Sequence, residues 1–102
     1  MALERDERGW LVVHTCPQYA LFLEQAEGRW WIHIDVHQWN HKVAQELARA
    51  QEKLCDALGS LWGLEQNPKQ ARFMRLVGWE PQGFELDEYD VRRRVYRKEK
   101  QR

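Results

Sequence analysis

The chain has 102 residues, 43% of them hydrophobic, and its 16 basic and 16 acidic side chains leave no net charge. That is enough apolar material for one core and too little for two domains, so one domain over 1–102 is expected, its core in about 9–98 and a basic end in 92–102. No apolar run approaches the roughly 20 residues of a membrane-spanning helix, and the opening Met1 to Arg8 is too charged for a secretory signal, which points to the cytoplasm.

Gly9 to Cys16 contains the apolar run Trp-Leu-Val-Val and is stopped by Pro17, while Gln18 to Gln25 carries Tyr19, Leu21 and Leu23 on one face. Two strands are expected there. Ala26-Glu27-Gly28 suits a hairpin turn into Arg29 to Val36, where Trp30, Ile32, Ile34 and Val36 alternate with Trp31, His33, Asp35 and His37. The three segments read as an antiparallel meander. A helix over 41–58 follows from the stripe Val43, Leu47, Ala50, Leu54, Ala57 and Leu58, with Asn40 to cap its start and Gly59 to end it. Leu61 to Leu64 reads as a short buried strand. After it, Asn67 and Pro68 predict a second helix over 68–77 ended by Gly78, because asparagine accepts from an orphan N–H of the first turn and proline at the first helical position loses nothing. In that helix Ala71, Met74 and Val77 form an apolar stripe that Phe73 and Leu76 widen, leaving Lys69, Gln70, Arg72 and Arg75 to water. Segments 79–86 and 88–98 read as a last hairpin turning near Asp87-Glu88. Cys16 and Cys55 show no metal or redox spacing and read as buried thiols.

The segment Asn67 to Trp79, with Phe73, Gly78 and Trp79 in register, resembles the helix near the end of the acyl-coenzyme A N-acyltransferase (GNAT) superfamily. Together with the order β-β-β-α-β-α-β-β it implies a mixed α/β (α+β) domain, a truncated GNAT-like sheet lacking the family's N-terminal strand and two helices. Met74 stands where the family's general-acid tyrosine is expected, and methionine has no proton to give. In the family a glycine-containing loop before the long helix cradles the coenzyme's pyrophosphate; the corresponding His37 to Val43 contains no glycine. His41 and Lys42 are the cations left there to meet a phosphate, and Asn67 holds a position near the coenzyme in the family. The resemblance therefore implies a protein without cofactor, or one that takes acetyl-coenzyme A at its ancestral site and draws acid and base from His33, Asp35 or water. It is closest in pattern to small GNAT-like proteins of tailed bacteriophages and prophages, some of them associated with virions. A non-catalytic binding or assembly role follows from it, in the host cytoplasm or in the virion.

His33, Asp35 and His37 share a strand face and match a two-histidine, one-carboxylate donor set, but same-face neighbours on a strand lie about 7 Å apart and seldom converge on one ion. A solvated polar face is expected there and no metal is assigned. Without the missing elements one sheet face has no cover, which predicts a homo-oligomer or a phage protein partner over Trp31, His33 and Asp35. Residues 91–102 hold seven Arg or Lys against one Glu, so that end is +6 and the remainder −6. Arg92, Arg94 and Tyr96 share one strand face there and form a candidate contact surface for nucleic acid.

Overall fold

The computed structural model describes residues 4–87 and 89–100. Six strands and two helices follow in chain order: β1 (Leu11–Thr15), β2 (Tyr19–Ala26), β3 (Arg29–Val36), α1 (His41–Leu58), β4 (Ser60–Leu64), α2 (Pro68–Leu76), β5 (Glu80–Leu86) and β6 (Arg92–Glu99). They form one mixed sheet in the spatial order β1-β2-β3-β4-β6-β5. All neighbours are antiparallel except β3 and β4, which the α1 crossover makes parallel. That parallel seam is paired at one position among the described residues, Trp31 opposite Trp62.

Local chemistry accounts for the element ends. Glu27 and Gly28 both take positive φ, 57° and 71°, as the two-residue turn between β2 and β3 requires. Asn40 Oδ1 accepts from the Val43 N–H at 2.9 Å, and Asn67 Oδ1 from the Gln70 N–H at 2.9 Å, so both helices start on an asparagine cap. The last hairpin turns differently from its sequence reading: β6 begins at Arg92, not near residue 88. Asp87 explains this. Its Oδ1 accepts from the N–H groups of Tyr89 (2.8 Å) and Val91 (2.9 Å), its Oδ2 from Arg93 Nε (3.0 Å), and Asp90 sits at φ 60°, so that the Asp87 side chain braces Tyr89, Val91 and Arg93 ahead of the strand. Glu88, named in the expected turn, lies outside the described residues, as do Met1 to Leu3 and residues 101 and 102.

Both helices lie on one side of the sheet. Leu21, Leu23, Ile32, Leu61 and Tyr96 project to that side and close a core with Val43, Leu47 and Cys55 of α1 and Ala71 and Met74 of α2. The buried line of α1 is Val43, Leu47, Gln51 and Cys55, a spacing of four, while Ala57 of the expected stripe is exposed. Leu76 of α2 is also exposed, at 85%, rather than part of the apolar stripe. Cys55 is buried as expected, and burial pushes its thiol pKa up; Cys16 is only half-buried.

The opposite face, expected to be uncovered, is roofed in part by the chain itself. Trp10 stacks on His33 with ring centroids 3.6 Å apart and an interplanar angle of 4°. Arg8 lies over Trp10 (3.8 Å to the ring centroid) and Phe22 (5.0 Å), held in place by Asp6. Farther along, Arg29 covers Trp62 at 4.0 Å while Trp62 leans on Trp31. Phe22 and Trp31 are buried as a result, Trp31 to 6% exposure. Residues 4–10 thus cover a face, and the pairing of Val12 N–H with the Glu4 carbonyl covers the β1 edge as well.

Candidate functional site

Two regions combine the chemistry singled out in the sequence. The first is the cleft on the helix side of the β3–β4 seam, where Ile32 and Ile34 of β3, Gly63 and Leu64 of β4, Gln51 of α1, Gln70, Phe73 and Met74 of α2, and Trp79 meet. Among the described residues the parallel seam is paired at Trp31 and Trp62, and side chains from α1, α2 and both strands meet over it. They do so tightly, leaving a cavity of about 20 Å³. Gly63 is what lets α2 settle this close: a Cβ there would lie 3.2 Å from Met74 Cε and 3.6 Å from the Trp79 ring. Two polar groups in this apolar wall satisfy each other, since Trp79 Nε1 donates to Gln51 Oε1, and both residues are buried.

His41, Lys42 and Asn67 are not among the residues that line this cleft. His41 and Lys42 are exposed on the first turn of α1, with His41 Nε2 3.2 Å from Gln45 Nε2. Asn67 is engaged in capping α2, so its amide oxygen is taken up by the Gln70 N–H. Asn40 likewise occupies the Val43 N–H of α1. Trp39 packs edge-on against Phe73, centroids 5.1 Å apart at 79°, bridging the start of α1 to a residue of the cleft wall. Met74 is buried in the cleft, its thioether end toward Gly63.

His33 and Asp35 are on the far side of the sheet from this cleft, the side that also carries Trp10, Phe22 and Trp62. His33 Nε2 lies 2.9 Å from Glu24 Oε1 beneath the Trp10 ring. Burial lowers the His33 pKa below its ordinary value although Glu24 works in the opposite direction. Asp35, opposite Ala20, is exposed, and so is His37 beyond the strand end. Among the described residues no three metal donors are gathered, here or elsewhere. Trp31, offered as an interface anchor, is spent inside its own chain and has little surface left to give a partner.

The second region is the β5–β6 hairpin. Arg92 is exposed and Arg94 half-buried, both on the helix side of β6, and they flank Phe84 of β5 at 4.0 Å and 5.3 Å from its ring centroid. Tyr96 does not join them. It is fully buried in the core opposite Gly63, its hydroxyl without a partner, so the nucleic-acid contact expected of it is withdrawn. Phe84 was not singled out in the sequence; the signal for it was the pairing of an alternating Phe-Glu-Leu segment with Arg-Arg-Arg across a hairpin.

Comparison with protein-family models, with curated proteins and with solved structures returns no match. No helix among the described residues is long and apolar enough to cross a membrane.

Proposed function

We propose that this chain is a non-catalytic binding or assembly component with a GNAT-like arrangement of strands and helices, of the kind the sequence resemblance associates with tailed phages and prophages. The observation that carries this reading is the filled cleft at the β3–β4 seam. Its cavity of about 20 Å³ has room for a single water, whereas pockets for drug-sized or coenzyme-sized ligands run from roughly 300 to 1,000 Å³. The residues that fill it are the same ones that form the core: Met74, Trp79 and Ile32 are all buried. Opening the cleft would therefore unpack the domain. At the phosphate end, Asn40 takes up one of the first-turn N–H groups that would meet an anion, and no glycine lies in 37–43 to bring the backbone close. His33 and Asp35 lie across the sheet from the cleft, out of reach of a thioester placed there.

Isothermal titration with acetyl-coenzyme A and coenzyme A tests the proposal, followed by a turnover assay on a panel of amines. No heat of binding and no transfer above background are expected. Saturable binding with acetyl transfer would establish the acyltransferase reading instead.

A further inference from the structure

Four arginines on the side away from the helices have acidic partners among the described residues: Arg8 with Asp6, Arg29 with Glu85, Arg93 with Asp87 and Arg97 with Glu99, at 2.7 to 3.3 Å. On the helix side Arg92 and Arg94 form no ion pair among the described residues and rest instead on the Phe84 ring. The same side carries α2, since Met74 lies against Gly63 and Lys98 Nζ donates to the Val77 carbonyl at the end of that helix. α2 reads PKQARFMRL, without one acidic residue, and its Lys69, Arg72 and Arg75 are exposed. Five cations are thus displayed by two adjacent elements of one side, on a chain whose net charge is zero.

Apolar groups accompany them. Phe84 is 49% exposed and Leu86, opposite Arg92, 65%; Tyr89 at the hairpin turn is 77% exposed. A solvated charged face would not need these side chains in the open. Unpaired guanidinium groups beside accessible rings match a ligand with regularly spaced negative charge and flat, unpaired aromatic faces. We propose that the α2–hairpin side is a binding surface for single-stranded nucleic acid, with Arg92, Arg94, Lys69, Arg72 and Arg75 on the phosphates and Phe84 and Tyr89 stacking bases. The proposal rests on the binding-protein reading above and names its partner class. A duplex keeps its base faces stacked internally, so it cannot use the rings. An acidic peptide added along the outer edge of β5 would gain less, since Pro81 lacks an N–H and the register shifts between Pro81 and Gly83, and it would leave the Phe84 ring without a stacking partner.

The test is fluorescence anisotropy of the full chain with labelled 20-nucleotide oligo(dT) and oligo(U), a 20-base-pair duplex and polyglutamate, at roughly 50 and 200 mM salt. Binding of one or both single strands at least about tenfold tighter than duplex and polyglutamate is expected, weakening as salt rises. The R92E/R94E double variant should lose at least about tenfold, and Phe84→Ala about fivefold to a hundredfold with an unchanged salt slope, because stacking releases no counterions. Lys53→Glu on exposed α1 should change little, and thermal melts establish that each variant is folded. Absence of binding by the wild type at low salt overturns the inference. So does equal binding of duplex or polyglutamate, or a folded Phe84→Ala variant that binds as the wild type. Coenzyme titration of the same sample separates the two readings: coenzyme binding removes the binding-protein proposal, while failure with both ligands removes only this inference.

Discussion

At the scale of single residues, one buried and one half-buried polar contact show how the domain tolerates change. Gln51 is 1% exposed and its amide oxygen is met by the Trp79 indole N–H. Trp79→Phe keeps most of the ring but leaves that oxygen unpaired, and is expected to cost about 1 to 3 kcal/mol in urea unfolding. Gln51 was not foreseen, because glutamine is ordinarily a surface residue; its place is visible only as the fourth-residue step between Leu47 and Cys55. His33 is the second case. Its folded pKa is depressed by burial, so the unfolded chain takes up the proton first as pH falls. The stability it contributes is full above the ordinary histidine pKa near 6.5 and is lost as pH falls through the lowered folded value. Thermal melts between pH 7.5 and 5 should show this decline, and a His33→Gln variant should show a flatter one.

At the scale of elements, the caps were the most legible features of the chain. Asn40 and Asn67 each hold a first-turn N–H, and α1 spans the residues its apolar spacing predicts. Asn40→Ala and Asn67→Ala are each expected to destabilise by about 1 kcal/mol, and roughly additively, since the two caps share no partner. A double variant measured by chemical denaturation checks both statements. The final hairpin was less legible. The sequence places the second strand over 88–98, whereas Asp87 draws the N–H groups of Tyr89 and Val91 to its own side chain and postpones β6 to Arg92.

For the whole molecule, the question is how a six-stranded sheet with helices on one side manages the other. Trp10, Arg8 and Arg29 lie over Phe22, His33 and Trp62, so much of that cover is intramolecular. Trp31→Ser is therefore expected to lower stability by about 3 to 5 kcal/mol, the range for removing a buried tryptophan, rather than to weaken a partner contact. Urea unfolding read beside light scattering tells these apart: a variant of unchanged stability that alters the oligomeric state would restore the interface reading of this face.

What the sequence determined by itself was local: where helices start and stop, which strands alternate, and that Met74 brings no acid to the cleft. Caps, turns and periodicity act over a few residues and can be read in any context. The tertiary structure decided which side of each strand is buried and which charges are paired. Tyr96 and Arg94 stand two residues apart on one face, yet the first lies in the core opposite Gly63 and the second reaches Phe84 in the open. Alternation assigns residues to a face, but burial depends on what packs there, and α2 covers only part of that side of β6.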